Sequence, residues 1–267
     1  MKRWLLLAAV LPVAAMAADA EIPGFDPANS PAINGRAIAV EAARRDDGFG
    51  DSSAAMTMVL FDGRGNSVQR AMRSLTLEQS ADGDRTILYF EDPADVRGTA
   101  FLTHSHAERP NDQWLYLPAL RRVKRIASNQ RSGAFMSSEF SYEDLGNDEV
   151  DKYTYHYIGE VSLDGVPCYH IERKPTDKSG YSRQEVWLDR DALRLQQVHY
   201  YDRRNALLKT LAVSDFTLHR ERFWRPARMH MINVQTGRET VLTWEDYAFG
   251  QGLNAREFEP GALNDIR

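Results

Sequence analysis

The residues best suited by type to do chemistry sit in THSHAERPND (103–112). His104 and His106 are two apart, so on a strand they would share a face, as two metal ligands must. Glu108 and Asp112 follow as oxygen donors. A catalytic metal usually takes three protein ligands on defined elements, and this stretch runs straight into a Pro-containing polar turn. A bare His-x-His therefore reads first as a solvated strand end, with a metal-dependent hydrolase as the least supported alternative. Nucleophilic catalysis has less to draw on. There is no Gly-x-Ser-x-Gly elbow and no Gly-rich phosphate loop. The one cysteine, Cys168, lies within a strand pattern, with His170 two residues on and no evident carboxylate to orient it. A lone strand cysteine behaves more often as a small hydrophobe. The expectation is a protein that is not an enzyme, with no catalytic residues, no metal site and no cofactor.

The central stretch RRVKRIASNQRSGAFMSSEFSYEDL (121–145) raises a different kind of function. Arg121, Arg122, Lys124 and Arg125 crowd into five positions, which suits either a docking face for an acidic partner or a solvated strand face. Phe135, Met136, Phe140 and Tyr142 then stand in a loop-like composition of Ser, Gly, Ala and Glu. Two arrangements fit: a static loop tucked into the core, or a mobile flap over 128–145, hinged at Ser132-Gly133, whose Phe135, Met136 and Phe140 close over a cavity mouth.

The elements that must position these residues are mostly strands. A helix is expected near the start, capped by Ser30 with Pro31 in its first turn and Ile33, Ala37 and Val40 on one stripe. After Gly50 the apolar period changes to two, giving strands at 54–61, 71–79, 85–91, 99–105 and 113–118, then 152–161, 167–174, 183–189, 193–202, 208–219, 225–234 and 239–249. Asp164-Gly165 and Thr236-Gly237 sit where hairpin turns belong. About a dozen strands joined by short turns form an antiparallel meander, and twisted open sheets rarely exceed about 10 strands without curling. The expected fold is mainly β: a strongly curved antiparallel sheet forming a half-open barrel, with the N-terminal helix and a loop or helix lid. Several strands are apolar on both faces. Leu88 and Phe90 alternate with Ile87 and Tyr89, and Trp114 and Tyr116 with Leu115 and Leu117.

The first residues point to export. Lys2 and Arg3 precede an apolar run from Trp4 to Ala15, too short to span a bilayer comfortably, and Ala15-Met16-Ala17 gives a small-x-small cleavage pattern. A signal peptide over 1–17 and a single domain over 18–267 are expected, with the mature chain soluble in the periplasm. The formal net charge is -5, and loss of Lys2 and Arg3 makes the remainder more acidic, which argues against nucleic acid. One cysteine permits no intrachain disulfide, so stability must come from the core.

Three segments carry a resemblance: FEDPADVRGTAFLTHSH, DQWLYLPALRRVKRIASNQRSGAFMSSEFSYEDL and GYSRQEVWLDRDALRLQQVHYYDRRNALLKTLAVSDF. With the closing TGRETVLTWEDYAFGQGL, they resemble the bacterial outer-membrane lipoprotein-sorting protein family, a LolA-like group, from about Gly35 to about Gly252. The resemblance implies a half-barrel plugged by helices in the Gram-negative periplasm, and a carrier of lipid or lipoprotein acyl chains. It further implies association with an inner-membrane RND (MMPL-type) exporter. Under that reading, Phe90, Phe101, Trp114, Tyr116, Phe135, Met136, Phe140, Tyr142, Trp187, Met229, Met231 and Trp244 are candidates to line the lipid cavity, the methionines being soft enough to fit varied cargo. Arg121, Arg122, Lys124 and Arg125 become the candidate docking face. A non-enzymatic periplasmic adaptor of an inner-membrane transporter, without lipid cargo, is the alternative.

Overall fold

The computed structural model describes residues 21–79, 82–146 and 149–265; the expected signal peptide at 1–17 lies outside them. Among the described residues one α-helix, α1 (Pro31–Asp46), precedes thirteen strands. They are β1 (Asp51–Phe61), β2 (Ser67–Leu77), β3 (Arg85–Asp92), β4 (Ala100–His104), β5 (Asp112–Leu117) and β6 (Arg122–Arg125), then β7 (Tyr153–Leu163), β8 (Val166–Pro175), β9 (Tyr181–Asp189), β10 (Leu195–Asp202), β11 (Leu207–His219), β12 (Phe223–Asn233) and β13 (Arg238–Phe249). The period-two segments all form strands, and the RVKR run adds a short one. Asp164 and Gly165 both take positive φ at the β7–β8 turn, as the Asp-Gly pair requires. No helix among the described residues is long and apolar enough to cross a membrane.

All strands join one antiparallel sheet, ordered β6-β5-β4-β3-β2-β1-β13-β12-β11-β10-β9-β8-β7. Two meanders, β1–β6 and β7–β13, thus form two wings that meet where β1 pairs with β13. The two edges, β6 and β7, are consecutive in sequence. Laid flat at about 4.8 Å per strand, they would stand roughly 60 Å apart. Instead, residues from both wings share one core: Met58, Phe90 and Phe101 from the first and Ile171, Val186, Leu211 and Met231 from the second. The sheet is curled, and the chain leaving β6 crosses its mouth to reach β7. Residues 126–146 of that crossing fill the inner face with Ile126, Phe135 and Phe140; this segment is called the plug below.

Of the expected helix stripe only Ala37 packs against the core. Ile33 is 54% exposed and Val40 39%, while Asn34, Gly35, Ile38 and Glu41 face inward. The polar members are satisfied there. The Asn34 amide donates to Asp26 O at 2.8 Å, and Glu41 accepts from Arg44 and Arg45. Gly35 lies on the backbone of β7, where a Cβ would stand 2.9 Å from Tyr157 N. A glycine lowers helix propensity, and at this position it is what lets the helix approach the sheet.

The outer face of the first wing is covered as well. Ile87, Ala100 and Leu102 form a second cluster with Phe258 and Leu263 of the C-terminal segment. This explains why β3 and β5 are apolar on both faces: one set meets the plug and the other the C-terminus.

Candidate functional site

The inner face and its plug bring together most of the candidate cavity residues. Phe90, Phe101, Phe135, Phe140 and Met231 are buried in one cluster, and Met136, Tyr142, Met229 and Trp244 pack against it. Phe135 is fully buried and Phe140 is 3% exposed. The Phe135 ring lies 5.0 Å from that of Phe101 and 5.9 Å from that of Phe90, with Tyr142 edge-on at 5.6 Å. These two apolar groups sit inside the fold, not over a vacant mouth. Two hollows flank the plug, and both are lined largely by polar groups, including Arg131, Asp144 and Gln184 in one and Ser132, Glu139 and Lys209 in the other.

Trp114, Tyr116 and Trp187 are elsewhere, which corrects their assignment to the cavity. Trp114 and Tyr116 face outward against the C-terminal cluster, because Leu115 and Leu117 take the inner positions of the same strand. Trp187 lies on the outer face of the second wing, stacked on His170 at 4.3 Å and edge-on to His199 at 4.6 Å. Val186 and Leu188 fill the inner face in its place. Alternation decides each case, and sequence alone could not say which of two apolar sets turns inward.

The plug is fastened by polar contacts that the residue pattern did not single out. Its chain turns through Met136 and Ser137 at φ 47° and 65°, a left-handed path that L-residues adopt only under local constraint. The turn is tied by Phe135 N–H to Phe140 O at 2.7 Å and by Ser138 Oγ to Phe135 O at 2.7 Å. From the first wing, Arg70 of β2 donates to Met136 O at 2.6 Å and Gln113 of β5 to Tyr142 O at 2.7 Å. From the second wing, Lys209 of β11 donates to Asp144 Oδ2 at 2.6 Å and to Glu139 O at 2.9 Å. The Lys209 and Asp144 side chains are only 4% and 3% exposed. Tyr181 of β9 donates to Asp144 Oδ1 at 2.8 Å, and burial, with Asp144 adding to it, pushes its phenol well above the usual value.

The aromatic contacts of Phe135 with β3 and β4 form a first seat for the plug, its polar contacts with the second wing form a second, and two further carboxylates complete that second seat. Glu139 accepts from Asn233 at 2.8 Å and pairs with Arg238 at 3.0 Å. Glu143 accepts from Ser179 Oγ at 2.8 Å and Gly180 N–H at 3.0 Å; burial raises its pKa, partly offset by those two donors. Gly180 permits this approach, since a Cβ there would lie 2.7 Å from Ser132 Cβ.

The enzyme-like residues are otherwise engaged. His104 Nε2 donates to Phe258 O at 2.6 Å and its ring meets Trp114. His106 sits between the carboxylates of Asp82 and Asp112. Among the described residues, no group of three or more His, Cys, Asp or Glu side chains is arranged to hold a metal ion. Cys168 is buried, and that burial, then Asp189, pushes its thiol up to about 11, leaving it inert as a nucleophile at neutral pH. Arg122, Lys124 and Arg125 are exposed on the edge strand β6, and Arg121 is exposed just before it. Arg125 pairs with Asp112, and Arg121 takes a left-handed φ of 47°.

The fold and sequence have solved relatives. An outer membrane lipoprotein-sorting protein domain from Vibrio parahaemolyticus is 45% identical, covering 87% of this chain and 99% of its own, with a TM-score of 0.86. A DUF1329 family protein from Desulfovibrio piger is 31% identical over 88% of this chain and all of its own, with a TM-score of 0.83. A LolA superfamily protein from Nitrosomonas europaea, at 19% identity over 84% of this chain and 97% of its own, shares the fold with a TM-score of 0.67. A family profile described as that of an uncharacterized protein matches residues 82–265, and no curated protein matches the sequence. With this identity carried over nearly the full length of its relatives, the chain belongs to the outer-membrane lipoprotein-sorting protein family and has the LolA-like fold.

Proposed function

We propose that the protein is a periplasmic carrier that binds lipid or lipoprotein acyl chains on the inner face of its sheet, in the volume now held by Phe135 and Phe140. One observation carries this reading. The segment closing the mouth is fixed to the sheet by side-chain contacts and filled with the kind of apolar groups that an acyl chain could replace. Each CH₂ sheltered from water is worth about 0.8 kcal/mol, so a chain of about fourteen methylenes calls for roughly 11 kcal/mol of apolar cover. An aromatic and methionine-lined core supplies that kind of cover, and hydrogen bonds do not. Cargo enters as the plug withdraws, so 126–146 serves as both stopper and lid.

The carrier works between an inner-membrane RND (MMPL-type) exporter and the outer membrane, docking through Arg121, Arg122, Lys124 and Arg125. Reversing two of these to Glu should weaken that association more at low than at high salt while fold and lipid content persist; unchanged association would return the run to a solvated edge. The dense packing of Phe135 favours a second reading, an adaptor that holds no lipid. Solvent extraction and mass spectrometry of protein purified from the periplasm without detergent separates the two. Stoichiometric lipid supports the carrier, and its absence from protein shown to be folded supports the adaptor.

A further inference from the structure

The charges at the second seat are divided by origin. The carboxylates, Glu139, Glu143 and Asp144, all belong to the plug, whereas Lys209 and Arg238 belong to the sheet and Arg203 to the turn between β10 and β11. Lys209 shows the division most sharply. Both of its hydrogen-bond acceptors among the described residues, Asp144 Oδ2 and Glu139 O, are carried by the plug. The faces of Tyr181 and Tyr200 also flank it, each with its ring centroid 5.1 Å from Nζ, and Glu143 of the plug lies within reach of its charge. Beside it opens a hollow of about 350 Å³, bounded by Lys209, Asn233 and Arg203 on one side and by Ser132, Ser138, Ser141, Glu139 and Glu143 of the plug on the other.

When the plug withdraws, its carboxylates leave and the sheet's cations stay. A neutral acyl chain taking the plug's place would seal the Lys209 ammonium under apolar cover with no counter-charge, which is strongly unfavourable. An anionic head would restore the pairing that Asp144 provides. We propose that Lys209, with Arg203 at the rim of the hollow, is the head-group site for an anionic amphiphile, whose phosphate replaces the Asp144 carboxylate while its acyl chain replaces Phe135 and Phe140. This rests on the carrier reading and adds the class of cargo. Withdrawal of the plug opens the far wall of the hollow and leaves room for a phosphate ester beside Lys209; Ser138 on that wall bonds Phe135 O and Phe140 O, so head and chain are served by adjoining regions. Tyr181 O–H, released by Asp144, becomes a further donor to the phosphate.

Delipidated full-length mature protein titrated with dodecyl phosphate and with dodecyl maltoside, which share a chain and differ in charge, tests the assignment. Inorganic phosphate alone forms a third arm. Dodecyl phosphate should bind at least about tenfold more tightly than the maltoside, as expected of a hydrogen bond between charged groups. Inorganic phosphate at the same concentrations should not compete. In Lys209→Met the preference should shrink to within about twofold. Because that change strands Asp144, the double variant Lys209→Met/Asp144→Leu, which removes the pair together, decides the matter if the single variant fails to fold. Equal affinity for the two amphiphiles in the wild-type protein, or an undiminished preference in the folded double variant, would overturn the head-group site and leave the carrier reading standing. Binding of neither amphiphile would overturn both. Effective competition by inorganic phosphate, with dodecyl phosphate binding no more tightly than it, would reassign the site to a free anion.

Discussion

Where the plug meets β3 and β4, the contact is a group of aromatic rings around Phe135, with hydrogen bonds from Arg70 and Gln113 at its margin. Where the same plug meets β9, β11 and β13, it is held by a buried ion pair, a buried phenol and two further carboxylates with directed donors. The first seat is non-directional, so its strength follows the apolar area removed from water and any well-shaped apolar group could take it. The second depends on particular partners at particular distances, and losing one partner leaves another stranded. A stopper fastened by both kinds of contact gains its cover from one side and its register from the other.

The sharpest way to break the comparison is Asp144→Ala. It leaves the Lys209 ammonium buried without its carboxylate and should lower stability by about 3–5 kcal/mol, read from the denaturant midpoint. Lys209→Met/Asp144→Leu should regain most of that loss, because replacing both charges with apolar groups of similar size is often neutral. A double variant as unstable as the single one would show that the second seat depends on shape as well. Phe135→Ala probes the first seat. A buried Phe→Ala change costs about 3 kcal/mol or more, and added dodecyl ligand should recover part of the loss by filling the vacated space. If the loss is full and ligand does not reduce it, the first seat is ordinary core.

Glu139→Ala should cost less, about 1 kcal/mol, since its Arg238 partner is half exposed and screened by solvent. The smallest expected effect is a pH dependence. Glu143 has a folded pKa raised by burial above its ordinary 4.5, so the folded state binds the proton more tightly than the unfolded chain does. Its contribution is then full below the unfolded pKa and is lost as pH rises through the folded one. Glu143→Gln should flatten that decline, seen as a smaller difference in unfolding midpoint between pH 4 and pH 7 than in the wild type. An unchanged profile would assign the pH dependence to other groups.

The strands were legible because period-two alternation is a local property, and curling followed from their number. The helix was legible at Ser30 and Pro31, but its buried face was not. Asn34 and Glu41 look like surface residues until Asp26, Arg44 and Arg45 satisfy them. The plug's aromatic residues stood out because Phe135 and Phe140 are unusual among serines. The second seat left no such trace. Lys209 occurs in a strand pattern where a lysine normally points to water, and Asp144 lies in a polar loop. Nothing local ties together two residues that are 65 positions apart. Trp114 and Tyr116 were misassigned because the C-terminal segment that covers them, around Phe258, lies some 140 residues away in the chain and carries only a weak apolar signal.

The pairing of β1 with β13 sets the order in which the molecule can be assembled. Each wing is a meander whose neighbouring strands are close in sequence, so its ladders close over short loops. The seam between the wings joins Ser52 to Phe249, and contacts at such separation must meet the entropy of a very long loop before they return any stabilisation. As the chain emerges N-terminus first, β1 waits with its backbone donors and acceptors open on that side until nearly the whole chain has followed. Unpaired apolar edges of this kind are prone to join a wrong partner. Met56 and Met58, later among the most deeply buried residues of the core, lie on that waiting strand. The arrangement that produces a continuous inner wall in the finished protein therefore gives the newly made chain a long interval of exposure, during which a chaperone has most to protect.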